Sequence, residues 1–375
     1  MKTWLYLLVV AVISFSLVGA GCASPTPSPT PGAPAAAAPA PAAPVTYPKT
    51  ELNLATVLPA PPSGPTTQAM QWAVDEVSKR SGGQVAIKVF WAGSMAKAGE
   101  EVQAVKGGLV DMAQVVYAYT PSVLPLSNLV FWVPFGPANP KVTLEAYRAL
   151  YANVPAFKQD LEQFNQKVLG ITLLDTYDIL TKNPVKTLDD LKGMKIAAIG
   201  TGYPKWFEAI GAVAVALPIT ERYNSMQTGV VEGSFLAADL HYSLKLYELA
   251  KNYTHVSTGA PAAGALTINA DVWNRLSPQV QQLLQQVFHE GGDKYAELIS
   301  AERQVILDKM KAAGVTFYTL SQADREKWAN VLPDYPKQWA TDMEAKGLPG
   351  WQVVDLFLKT VEQQGYTFPR KWGQR

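Results

Sequence analysis

The sequence predicts an α/β protein of two lobes, and three observations carry that expectation. Residues 187–236 alternate short helices with strands, the order that builds a parallel sheet whose strand ends offer a small-ligand site. About 330 residues follow a low-complexity start, enough for two lobes rather than one. A helical pattern from Ser277 to about Ala313 spans roughly 50 Å if continuous, long enough to lie across both.

Taken in order, the chain opens with Lys2, an apolar run over 5–18 and small residues up to Gly21-Cys22. The run is too short for an ordinary membrane-spanning helix, so 1–21 reads as a secretory signal. Cys22 is the only cysteine, so no internal disulfide is available. Its place directly after the run resembles bacterial lipoproteins, with the departure that Gly19 stands where that pattern prefers leucine. Simple cleavage near Ala20 or Ala23, leaving a free thiol, is the alternative. Residues 22–46, almost entirely Ala, Pro, Ser, Thr and Gly up to position 44, cannot bury a core and read as an extended tether.

The folded part begins near Tyr47. Residues 51–58 read as a strand, and Thr66 can cap a helix whose Met70, Ala73, Val74 and Val77 share a face, ending at Ser81-Gly82-Gly83. Val85, Ile87 and Val89 alternate in a second strand, so this is a β-α-β unit with a right-handed crossover. A helix over 100–107 and a strand over 110–116 follow. Residues 141–168 read as helical and 169–175 as the strand that first crosses between lobes. In the central stretch Thr187 and Asp190 cap a short helix stopped by Gly193, strands occupy 195–199 and 213–217, and a helix opens at Thr220 and stops at Gly229. Residues 265–269 return as a strand. Ser277-Pro278 starts the long helix by two signals, a capping hydroxyl and a proline at the first turn. Its apolar face is Val280, Leu283, Leu284, Val287 and Phe288; Gly291-Gly292 either continues or breaks it. A strand at 315–320, a helix capped by Ser321 with Asp324, and a helical piece at 356–361 complete the pattern.

Several spaced blocks add a resemblance. Asp190-Leu191-Lys192-Gly193-Met194-Lys195-Ile196, then Gly211-Ala212, Pro218, Glu221, Tyr223 and 226–233, with 107–112 and Pro134-Phe135, are similar to the DctP-type solute-binding proteins of tripartite ATP-independent periplasmic (TRAP) transporters. The resemblance implies a two-lobed periplasmic-binding-protein-like fold, with 47–174 plus 263–302 as lobe I, 175–262 plus 303–375 as lobe II, and the long helix connecting both. It also implies a receptor without a cofactor, held at the periplasm or the outer face of the cytoplasmic membrane by a lipid anchor on Cys22. Its partners would be a small-molecule ligand and TRAP-type permease subunits.

Independent chemistry agrees. The net charge is +1 and no basic stripe argues for nucleic acid. His241, His255 and His289 show no metal-ligand spacing, and Gly200-Thr201-Gly202 lacks the third glycine of a dinucleotide loop, Lys205 standing in its place. No nucleophile elbow or P-loop occurs. A secreted enzyme on a bilobal scaffold and a tethered interaction module are the competing classes.

The departures from the resembled pattern bear on the ligand. Ala197 stands where an arginine usually grips a substrate carboxylate, Asp178 where a second arginine is common, Phe235-Leu236 in place of an acidic-asparagine pair, and Ile219 where an aromatic is common. A buried anion without a cation costs several kcal/mol, so the expected ligand is less anionic than a simple dicarboxylate. Its expected contacts are Tyr117, Tyr177, Asp178, Ala197, Tyr203, Trp206, Ile219 and Leu236, with Tyr119 close by. Asp178 either receives a cation or is a solvated loop charge, and Lys205 or Arg222 can restore a positive charge from another direction.

Overall fold

The computed structural model describes residues 45–375; the signal, Cys22 and nearly all of the tether expected over 1–46 lie outside the described residues. Eleven strands occur among those described: β1 (Thr50–Ala55), β2 (Val85–Phe90), β3 (Met112–Val116), β4 (Gln166–Leu173), β5 (Tyr177–Thr181), β6 (Lys195–Ala198), β7 (Val213–Ala216), β8 (Gly233–Ala237), β9 (Asn252–His255), β10 (Ala262–Asn269) and β11 (Thr316–Thr319). They form two sheets, one per lobe, in the orders β2-β1-β3-β10-β4 and β11-β9-β5-β8-β6-β7.

The β-α-β reading holds for the start: β1 and β2 pair in parallel from Thr50↔Val85 to Ala55↔Phe90, joined by helix Pro65–Arg80. Thr66 is not its cap. Gly64 occupies that position, Pro65 begins the helix, and the Thr66 hydroxyl donates to Asp239 Oδ2 of the other lobe at 2.5 Å. Neither sheet is purely parallel. β10 runs antiparallel to β3 and β4, and β5 antiparallel to β8 and β9, because β4→β5 and β9→β10 are crossings between lobes rather than helical returns within one.

The expected helix over 141–168 is two, Pro140–Asn153 and Pro155–Glu162. Proline disfavours helical backbone in the residue before it, and Val154 is extended at φ −119°. The strand then begins at Gln166 rather than 169. The capping box at Thr187 forms as predicted, its hydroxyl and Asp190 satisfying each other's backbone N–H groups ahead of a single 3₁₀ turn, Leu188–Leu191.

The long helix runs unbroken over Pro278–Ala312, with Ser277 accepting from the Val280 N–H at its start. Gly291 and Gly292 lie inside it. At Gly292 a side chain would meet Leu144 Cδ1 at 3.0 Å, so the glycine allows close docking on helix Pro140–Asn153 rather than marking a break. Its first half buries Val280, Leu283, Leu284, Val287 and Phe288 against β4 and helix Pro65–Arg80. Its last turns bury Ile306, Leu307 and Met310 with Tyr253 and Leu246 in a second core of lobe II. One helix therefore pins both lobes, and burying each large side chain contributes about 1.5–3 kcal/mol.

The C-terminal region divides. β11 completes the second sheet beside β9, but helix Gly350–Gln363 packs on Pro140–Asn153, with Phe357 edge-on to Tyr147 at 6.1 Å. The end of 303–375 thus packs with lobe I, where the amphipathic face of Val353, Val354, Phe357 and Val361 finds its cover.

Candidate functional site

The lobes meet where the turn after β3 reaches the turn after β7. β3 runs into a 3₁₀ turn, Tyr117–Tyr119. Its two tyrosines part company. Tyr117 turns into lobe I, stacked on Tyr147 at 5.9 Å with its hydroxyl 2.8 Å from that of Tyr151. Tyr119 reaches across, and its hydroxyl accepts from the Ile219 N–H of lobe II at 3.0 Å. This bond and the Thr66–Asp239 bond tie lobe to lobe at separate points.

Tyr203 and Trp206 belong to an aromatic wall at the same junction. Tyr203 lies 5.3 Å from Phe131, 5.3 Å from Tyr177 and 4.8 Å from Trp206 between ring centres. Trp206 stacks on Phe135 at 6.3 Å. Tyr203 therefore touches both Tyr177 and Trp206, while Ile219 enters the junction through its N–H bond to Tyr119. Tyr117 is not among them.

Asp178 is neither a solvated loop charge nor an open one. It lies in β5, fully buried, and its Oδ1 accepts from the Val256 and Ser257 N–H groups at 2.7 and 2.8 Å. Its Oδ2 accepts from Arg303 Nη2 at 2.7 Å and the Tyr253 hydroxyl at 3.0 Å, with His255 Nδ1 at 3.3 Å. Burial alone would raise this carboxyl, but the His255 contact, Arg303 and the Ser257 N–H outweigh it and hold it at about 2. Arg303, from the long helix, also pairs with Asp175, so the carboxylate is committed to a joint where the chain crosses between lobes.

Ala197 in β6 is buried, and its register partner in β8 is Ser234. Leu236, also buried, lies opposite Asp178. Over this alanine-lined part of the sheet comes Arg222, the first residue of helix Arg222–Gln227. It is fully buried, and its Nη1 donates to Ser234 Oγ and the Phe235 carbonyl, both at 2.7 Å. Its Nε and Nη2 have no hydrogen-bond partner, and no carboxylate among the described residues pairs with it. Burial lowers its pKa. The Tyr177 hydroxyl is likewise buried without a partner. Lys205, the other candidate for a restored charge, is exposed on the outer surface over the Trp132 ring at 4.7 Å.

Sequence reasoning missed Asp239 and Glu101. Both are buried, each has one oxygen without a partner, and burial pushes both carboxyls up, Glu101 to about 8. No local pattern marks either. The mouth of the cleft is a pocket of about 380 Å³ between Ala92, Lys97 and Glu100 of lobe I and Pro218, Thr220 and Glu221 of lobe II. A larger pocket, about 470 Å³, opens on the outside of lobe I; its Arg148 is already paired with Glu145 and Asp293. Among the described residues no group of three or more His, Cys, Asp or Glu side chains could hold a metal ion.

The family model described as "Bacterial extracellular solute-binding protein, family 7" (DctP) matches residues 56–342. The chain is 28% identical over 292 residues, covering 77% of this chain and 82% of the relative, to the 2,3-diketo-L-gulonate-binding periplasmic protein YiaO of Escherichia coli. It is 24% identical over 285 residues, 74% of this chain and 82% of the relative, to the ectoine-binding periplasmic protein TeaA of Halomonas elongata. Among solved structures, a TRAP solute-binding protein from Rhodoferax ferrireducens in complex with copurified benzoate superposes with a TM-score of 0.76 at 20% identity, over 84% of this chain and 98% of that one.

Proposed function

Because the chain belongs to the DctP family, the bacterial extracellular solute-binding proteins of family 7, we propose that its two lobes close over one small organic ligand and present the closed form to a TRAP-type membrane permease. The protein is a TRAP extracytoplasmic solute receptor and not an enzyme. The finer reading is that its ligand is not a simple dicarboxylate, and that Cys22 carries a lipid anchor from which 22–46 suspends the folded part.

The observation that carries the ligand reading is the count of buried cations at the lobe junction, Lys97 at its mouth being exposed. Ala197 and Leu236 bring no charge, and Asp178 is committed to Arg303, which leaves Arg222 as the buried guanidinium without a carboxylate. A second carboxylate on the ligand would be buried without a partner, at a cost of several kcal/mol. Closure is favoured only by contacts made in the closed state, and the Tyr119–Ile219 bond is of that kind.

A thermal-shift screen over C4 diacids, aromatic acids, amines and neutral polyols tests this. A true ligand at one hundred times its Kd adds about 2.7 kcal/mol of stability, read as an upward shift in Tm, with no turnover of the compound. Succinate or malate giving the largest shift overturns the ligand reading and leaves the receptor reading standing. Loss of the compound to a product overturns both.

A further inference from the structure

The geometry points to Arg222 as the seat of a single carboxylate on the ligand, so that this receptor takes a monocarboxylate whose anion is gripped from the helix after β7 rather than from β6. The inference rests on the receptor reading above.

One edge of the buried guanidinium has no hydrogen-bond partner. Arginine presents its donors in a fixed plane, and the Nε and Nη2 hydrogens point the same way, forming a side-on fork matched to the two oxygens of a carboxylate. In Arg222 the other nitrogen, Nη1, is the one anchored to Ser234 Oγ and the Phe235 carbonyl. The two nitrogens left without partners are Nε and Nη2, the complete fork. Its orientation is therefore set by protein contacts before any ligand arrives, which spares the ordering cost a mobile side chain would bring to binding.

A fully buried arginine with no acid beside it is otherwise hard to account for. Buried charges are paired or coordinate an ion. Both hydrogen bonds that Arg222 makes go to neutral oxygens, Ser234 Oγ and the Phe235 carbonyl. Its place in the chain adds meaning: Arg222 comes three residues after Ile219, whose N–H donates to the Tyr119 hydroxyl of the far lobe. The arginine thus opens the helix that begins where the far lobe makes contact.

The small residues next to it complete the picture. Ala197 is the register neighbour of Ser234, the residue that anchors Arg222. A long side chain at 197 would compete for the face the guanidinium occupies; alanine leaves it open. The charge missing from β6 and the charge supplied by position 222 are parts of one rearrangement, and it supplies one cation for one anion.

The test uses the purified full chain, isothermal titration, and the probes benzoate, pyroglutamate and D-glucuronate, with succinate as a diacid and the neutral amide of whichever acid binds. Wild type should bind at least one monocarboxylate, and its amide at least about thirtyfold more weakly, the least expected for losing one partner of a buried charge pair. Arg222→Leu should lose the acid by a similar factor, and Arg222→Lys, which keeps the charge but not the fork, should fall between. Circular dichroism and the Tm of the unliganded variants show whether they fold. If Arg222→Leu fails to fold, Arg222→Lys together with the acid-to-amide ratio in wild type decides. An acid bound equally by wild type and a folded Arg222→Leu overturns the seat and leaves the receptor reading intact. Binding only of neutral compounds also overturns the seat, whereas a wild type that binds nothing in this panel and nothing in the broader screen overturns both.

Discussion

Asparagine at position 178 lowers the stability of the folded protein by about 3–5 kcal/mol, the cost of removing one partner from a buried ion pair. The Asp178 carboxylate is surrounded only by donors: two backbone N–H groups on Oδ1, and Arg303, the Tyr253 hydroxyl and His255 around Oδ2. The amide of asparagine would turn an N–H₂ toward one of those sets and leave the Arg303 guanidinium with Asp175 alone. The same contacts fix a pH dependence. Because the folded-state pKa, about 2, lies below the usual 3.8, the stability that Asp178 contributes is fully present above about pH 4 and is lost as pH falls toward 2. Denaturant unfolding of wild type and Asp178→Asn at pH 7 and at stepped pH down to 2.5 checks both points: the gap between the two proteins should narrow as the acid is titrated. A variant that keeps its stability but loses its ligand would make Asp178 a ligand contact, as the sequence alone had suggested.

That contrast shows what was and was not legible in the sequence. Elements whose signals are local emerged where expected. The β-α-β start follows from alternation at Val85, Ile87 and Val89, the Thr187 turn from a reciprocal cap, and the long helix from Ser277-Pro278 with its apolar stripe. What stayed hidden depends on residues far apart in the chain. Asp178 meets Arg303 across 125 positions, and Thr66 meets Asp239 across 173, so no window around any of them carries the information. β5 and β8 were not foreseen as strands. Their pairing is antiparallel and interior, and every position is buried, which removes the alternation that marks a half-exposed strand. Arg222 was visible as a charge between Glu221 and Tyr223, but not as a buried one. Its significance comes from the small neighbours Ala197 and Ser234, which the fold brings under it from two other strands.

Alanine at Gly202 is expected to separate closing from folding. Gly202 begins helix Gly202–Glu208 of lobe II, and a Cβ there would meet the Phe131 carbonyl oxygen at 1.9 Å and its carbon at 2.6 Å. Phe131 lies in the 3₁₀ segment Leu126–Trp132 that follows β3 of lobe I. The backbone of Gly202, the first residue of the helix, is not among those with positive φ, so alanine brings no backbone strain of its own there. The three atoms nearest the methyl group all belong to Phe131 and Trp132. Overpacking of this kind costs typically about 1–3 kcal/mol, here set against the closed arrangement, so affinity should fall about 5- to 150-fold while the Tm of the unliganded protein holds. Titration calorimetry gives the affinity, and small-angle scattering with saturating ligand gives the compaction, which should be smaller than in wild type. A Tm that drops with unchanged affinity would mean that Phe131 and Gly202 sit in a body that never opens. The hinge would then run between the Tyr119–Ile219 side of the cleft and the aromatic wall of Phe131, Tyr203 and Trp206, with the wall acting as its fixed floor.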